Sequence, residues 1–182
     1  MAVYEEKTTH TTPIYDGQII SVRVDDVVLA NGIKSKREII SHPGAVGIIP
    51  ITHENKIVFV RQYRKPLEKS LLEIPAGRLE KGEAPEVTAI RELEEETGYT
   101  TEDVSFVTSF YTSPGFADEL MYVYVSRDLS VAENPAEGDE HGQIETVELT
   151  LEEAIQYVKE EKIHDAKTNY AVLYLQMLEN MK

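Results

Sequence analysis

Four of the five positions from Glu92 to Glu96 are glutamate, and Arg91 directly precedes them. Carboxylates this close repel one another, so a fold that keeps them must either expose them to water or supply a cation. On a helix, at 100° per residue, Glu92, Glu95 and Glu96 fall within an arc of about 100° on one side. Glu94 points the other way, toward solvent, and is the dispensable member. Arg91 sits four residues before Glu95 and can neutralise and orient one carboxylate. What remains is an all-oxygen donor set, which suits a hard cation such as Mg²⁺ or Mn²⁺. The competing possibility is an acidic helix face that is simply solvated.

The elements that must position these groups are legible on either side. Upstream lies "GRLEKGE", in which Gly77 and Gly82 permit tight turns and Glu83 can be brought back near the helix. Pro85 opens a helix running to Glu96, where its missing N–H costs little, and Ala89, Ile90 and Leu93 give that helix a core-facing side. "ISVRVDDVVLA" and "IKSKREIISH" read as two strands around Asn31-Gly32, a pair suited to a two-residue type I′ turn. "AVGIIPI", "KIVFVRQYR" and "SLLEIP" are further strands, followed after the helix by "DVSFVTSFYTSPG", "ELMYVYVSRDL" and "IETVELT". An acidic loop, "SVAENPAEGDEHGQ", precedes the last of these. Thr150 with Glu153 forms a capping box for one closing helix, and Asp165 caps another. In that last helix Tyr170, Leu173, Tyr174, Met177 and Leu178 recur at helical spacing, the mark of core or interface. The class is α/β, with a mixed sheet flanked by helices.

Composition excludes several functions. The 182 residues contain no cysteine, which removes disulfides, zinc-thiolate sites and cysteine nucleophiles. A net charge of −15 argues against nucleic acid or an anionic membrane as partner. A small anionic substrate remains possible if divalent cations bridge it to the protein. No apolar run approaches the roughly 20 residues of a transmembrane span, and the expectation is a soluble cytoplasmic protein. "GRLEKGE" is not a phosphate-binding P-loop, because Glu83 takes the lysine position.

The stretch reads Gly77, five residues, Glu83, seven residues, Arg91-Glu92-Leu93, one residue, Glu95-Glu96, one residue, Gly98-Tyr99. It resembles the Nudix box at every fixed position. Tyr99 is a soft departure, since the family usually has an aliphatic residue there. The resemblance implies a Nudix-type α/β/α sandwich with a mixed sheet, and a divalent-cation-dependent hydrolase of a nucleoside diphosphate linked to another moiety. By that resemblance Glu92, Glu95 and Glu96 bind metal and the backbone carbonyl of Ala76 adds a ligand. Arg91 orients the cluster, and Glu83 completes or supports it.

Pro114, sixteen residues after Gly98, resembles the proline of the ADP-ribose pyrophosphatase group. "PIYDGQIISVRVDDV", "VRQYR", "LLEIPAG" and "DAKTNYAVLYLQM" resemble other parts of it. This implies a small N-terminal antiparallel β subdomain, residues 1–41, serving dimerisation and the substrate pocket, ahead of a hydrolase domain, residues 42–182. It also implies a homodimer acting on a nucleoside diphosphate sugar, with Mg²⁺ as cofactor and Mn²⁺ able to substitute. Arg64, Arg37, Glu119, Tyr15, Pro114 and Gly115 are then the expected substrate contacts. Tyr15 could instead pack its subdomain, Arg37 could be a solvated charge, and Arg64 could pair with Glu73 or Glu68. The expected general base is Glu140, in "EGDEHGQIE", with Glu145 and Asp139 as alternatives and His141 less favoured. The expected reaction is hydrolysis of ADP-ribose to AMP and ribose 5-phosphate. A broader nucleoside diphosphate sugar hydrolase and a non-catalytic binding module are the competitors.

Overall fold

The computed structural model describes residues 4–133 and 144–181. The chain divides into two compact units: the N-terminal segment to Gly44 together with Phe110–Leu120, and Ala45–Ser109 together with the rest from Met121.

In the first unit, β1 (Lys7–Asp16), β2 (Ser21–Val28) and β3 (Lys34–Ser41) form an antiparallel meander in that order. β1 was not foreseen as a strand. It contains Pro13 and is exposed along its whole length, so it carries no alternation of apolar and polar residues to read. The β2–β3 connection also differs from expectation. Gly32 N–H donates to Leu29 O at 2.8 Å and Leu29 N–H to Ile33 O at 2.9 Å, and of the turn residues Gly32 alone has positive φ, 85°. This is a three-residue loop closed by a glycine bulge, whereas a type I′ turn would need positive φ at Asn31 as well. Asn31 Oδ1 instead accepts from Ile33 N–H, fixing the turn through its side chain.

In the second unit, β4 (Ala45–Pro50) pairs in parallel with β10 (Leu120–Ser126) and antiparallel with β7 (Ala76–Arg78). β9 (Ser105–Tyr111) completes that four-stranded mixed sheet on the far side of β10. A separate antiparallel sheet has the order β12 (Glu145–Leu149), β5 (Ile57–Arg64), β6 (Lys69–Glu73). β8 (Tyr99–Thr100) and β11 (Ser130–Val131) form a two-residue ribbon. The mixed sheet anticipated from the sequence is present, together with separate smaller antiparallel sheets. β4 is buried on both faces, as expected of a strand paired in parallel.

The three helices are α1 (Pro85–Thr97), α2 (Leu151–Lys159) and α3 (Ala166–Asn180). Thr150 and Glu153 form the foreseen capping box, and Asp165 accepts from Thr168 N–H at 3.0 Å. α3 buries Thr168, Ala171, Val172 and Leu175, whereas Leu173 and Met177 are 59% and 52% exposed. Of the stripe read as core or interface, Leu173 and Met177 therefore lie outside the core, while Tyr170, Tyr174 and Leu178 are part-buried. α1 presses Ala89 and Leu93 into a cluster with Val46, Ile48, Val58, Tyr124 and Leu129. That anchor fixes the rotation of α1 and hence the direction of its carboxylates. Leu93→Ala should destabilise the protein by about 2–5 kcal/mol in urea unfolding, through lost burial and the cavity left behind.

Candidate functional site

The site is built where α1 meets β5 and β7. α1 begins with Pro85 at its first position and ends at Gly98, whose φ of 72° lets its N–H close on Glu94 O at 2.9 Å. Arg91 is the hub. Its Nε and Nη2 each donate to Glu83 at 3.2 Å, and its Nη1 donates to Glu92 Oε1 at 2.8 Å and Glu95 Oε2 at 3.2 Å. Glu83 reaches the helix as anticipated and also accepts from Thr88 Oγ1 at 2.8 Å. Thr88 is fully buried and its part was not foreseen, because threonine at a helical position carries no distinguishing pattern.

Glu96 is held differently. Its Oε2 accepts from Ala76 N–H at 3.0 Å and its Oε1 from the amide Nε2 of Gln62 at 2.8 Å. Gln62 was missed at the sequence level, since it sits inside a strand with nothing in its spacing to connect it to the helix. Glu94, expected to face solvent alone, accepts from the Thr100 hydroxyl and is only part-exposed. That bond ties the end of α1 to β8. Tyr99 combines packing against the core cluster with a hydroxyl that donates to Glu148 at 2.8 Å.

Gly77 has a specific steric cause. A Cβ built on it would collide with the Glu92 carboxylate, so any side chain there would push that carboxylate out of place. The glycine of the motif thus makes room for the glutamate fifteen residues later.

The carboxylates are electrostatically unequal. Burial pushes Glu96 up to about 7, helped by the charge of Glu92 and opposed by the Ala76 N–H and the Gln62 amide. Glu92 is raised by burial, in part offset by Arg91. Glu83 is lowered, chiefly by its bond to Arg91.

The other residues singled out in the sequence divide between the units. Arg64 donates through Nε and Nη2 to Glu73 at 2.7 and 3.0 Å, the pairing weighed as its alternative. Glu73 is 2% exposed and also takes Lys167, which in turn reaches Asp165 at 3.0 Å. In the first unit, Arg37 grips Glu6 through Nε at 2.9 Å and Nη2 at 2.6 Å. Tyr15 is 58% exposed and lies over the backbone of Gly17. Pro114 and Gly115 are the exposed centre of a turn in which Phe116 N–H donates to Ser113 O at 3.1 Å. Glu119 accepts from Thr112 and stands 3.7 Å from His42 Nδ1. Glu145 pairs with Arg61 across β12 and β5 at 2.8 Å. Glu140, Asp139 and His141 lie outside the described residues.

Family models match the chain in two segments. Residues 6–40 match a nucleoside diphosphate sugar hydrolase N-terminal domain, and residues 41–171 match the NUDIX domain. The chain belongs to the Nudix family. It is 59% identical over 180 residues to a methanol dehydrogenase activator of Bacillus methanolicus, covering 99% of this chain and 97% of that one. It is 52% identical over 182 residues to an ADP-ribose pyrophosphatase of Bacillus subtilis (strain 168), covering 100% and 98%. The crystal structure of an ADP compounds hydrolase superposes with a TM-score of 0.86 at 21% identity, covering 98% and 96% of the two chains, and so has the same fold. This Nudix chain is accordingly a hydrolase of mixed α/β architecture.

Nudix hydrolases generally use divalent metal ions. Among the described residues no three histidine or acidic side chains are arranged to hold one as they stand. The donor chemistry nonetheless fits. Arg91 engages one oxygen each of Glu92 and Glu95, the space above Gly77 is filled by the Glu92 carboxylate, and a buried amide oxygen of Gln62 beside Glu96 lacks a partner.

Two outcomes follow. Gly77→Ala should retain its circular dichroism spectrum yet bind Mn²⁺ about 10-fold more weakly or worse, measured by electron paramagnetic resonance, because Glu92 is displaced. Glu96 is raised from an ordinary value of 4.5, so its contribution to stability is complete below that value and is lost as pH rises through about 7. In EDTA, Glu96→Gln should therefore gain stability relative to wild type between about pH 5 and 8, by up to about 3 kcal/mol in urea unfolding.

Proposed function

We propose that this chain hydrolyses the central diphosphate of ADP-ribose, with Mg²⁺ as cofactor and Mn²⁺ able to replace it. The observation that carries this reading is the full-length likeness to the Bacillus subtilis ADP-ribose pyrophosphatase, in a chain that keeps every carboxylate of the Nudix motif. Water adds across one P–O bond of the bridge, and the products are AMP and ribose 5-phosphate.

Glu92, Glu95, Glu96 and the carbonyl of Ala76 are the groups that would hold the cation. Bound there, it would neutralise phosphate charge and lower the pKa of water. Arg91 keeps the carboxylates apart and oriented, since its guanidinium already bonds Glu83, Glu92 and Glu95. Arg64 is proposed for the diphosphate. A guanidinium fixed by a buried carboxylate loses less freedom when it meets an anion than a mobile one would. Arg37, Tyr15, Pro114, Gly115 and Glu119 are proposed for the nucleotide and sugar ends. The N-terminal residues 1–41 would complete the pocket in a homodimer, and the hydrolase domain, residues 42–182, would carry the chemistry. Glu140 takes the proton of the attacking water, and a cytoplasmic setting matches the supply of such a substrate.

The likeness to the methanol dehydrogenase activator favours a second reading, in which the same hydrolytic site serves to alter the activity of a dehydrogenase. A non-catalytic module is disfavoured because such a protein has no need of the whole carboxylate set.

Purified protein with Mg²⁺ should convert ADP-ribose faster than ADP-glucose, GDP-mannose, NADH, diadenosine polyphosphates or nucleoside triphosphates, with products separated by chromatography. Equal rates across the panel would remove the ADP-ribose assignment. Glu96→Gln should lose most activity. Glu140→Gln should lower kcat by about 10²–10⁴-fold with KM little changed, the signature of a missing general base.

A further inference from the structure

Among the described residues, two buried side-chain oxygens have no hydrogen-bond partner, Gln62 Oε1 and Asp165 Oδ2. Asp165 caps α3 and meets Lys167 through its other oxygen, a structural setting with no link to a ligand. Gln62 is different. It is 4% exposed, points from β5 toward α1, and spends its Nε2 on Glu96 Oε1 at 2.8 Å. An unmade hydrogen bond on a buried amide oxygen costs about 1–3 kcal/mol. Turning the amide over would not relieve this, because Nε2 would then be the buried atom without a partner. An apolar residue of similar length would fill the same volume but leave Glu96 Oε1 without its amide donor, so the bond to Glu96, and not packing, calls for a glutamine here.

The missing partner is a donor that the described residues do not supply, at the carboxylate Gln62 already holds. Hard divalent cations of the Mg²⁺ type keep several waters when bound by carboxylates, and each such water is a strong donor. We propose that Gln62 is a positioning residue of the cation site. Its Nε2 sets the carboxylate of Glu96, and its Oε1 accepts from a hydration water of the cation that Glu96 holds. Glu96 is then clamped from both sides, by β5 through Gln62 and by β7 through Ala76 N–H at 3.0 Å. The helix brings the charge, and the strands decide where it points. This rests on the proposed use of Glu96 as a cation ligand.

The test is Mn²⁺ binding followed by electron paramagnetic resonance, on wild type, Gln62→Met, Glu96→Gln and the double variant. Thermal unfolding in EDTA is measured on each. Methionine keeps the length of the side chain and removes both polar atoms. Gln62→Met is expected to weaken Mn²⁺ binding by about 10-fold or more. In the Glu96→Gln background the same change should alter affinity by less than about 2-fold, because the effect runs through Glu96. Each variant should still unfold cooperatively in EDTA, with a lower midpoint for Gln62→Met because Glu96 Oε1 loses its amide donor. Undiminished affinity or an equal loss in both backgrounds would each overturn the proposal. Wild-type protein that takes up no Mn²⁺ would remove the cation reading together with this one. Wild-type uptake matched by Gln62→Met removes the role of Gln62 alone.

Discussion

The bonds from Arg91 to Glu83, Glu92 and Glu95 are what the rest of the site depends on. Three part-buried carboxylates around one guanidinium would repel one another in its absence, and each would face the full desolvation of its charge. With Arg91 in place, one cation is divided among them. Its bonds hold Glu92 and Glu95 beside one another on the helix and draw in Glu83 from the loop before it.

Glu96 lies outside that arrangement, and its environment is correspondingly different. Its partners are a backbone N–H and an amide, both neutral, so burial dominates and the group holds its proton far more firmly than an exposed glutamate does. One helix therefore carries carboxylates of two kinds, charge-paired and charge-poor. The second kind has the most to gain from a cation. The fold serves this division directly: Leu93 and Ala89 lock α1 onto the sheet, Gly77 yields space to Glu92, and Gly98 ends the helix within a residue of its last useful turn.

A cost is visible in the network around Glu73. Arg64 and Lys167 converge on a carboxylate that is almost fully buried, and together they outweigh the burial that would otherwise raise it. Breaking one partner would leave a buried charge uncompensated, which is why this cluster ties β5, β6 and α3 into one rigid support. Arg64 is thus part of the scaffold as well as a candidate for the substrate.

The sequence by itself determined which acidic groups share one side of the helix. Glu92, Glu95, Glu96 and Arg91 are near neighbours in the chain, and the fixed 3.6-residue period alone places them on one side. Local signals likewise fixed the capping box at Thr150 and the cap at Asp165. Tertiary structure decided whatever joins distant segments. The bond of Gln62 to a glutamate 34 residues away, the clash that demands Gly77, the burial of Thr88 and the capture of Glu94 by Thr100 all follow from how strands and helix are brought together. β1 escaped for the opposite reason: it is exposed throughout, so burial had left no periodic mark on it. Periodicity records which side of an element is buried, and it is silent on which partner buries it.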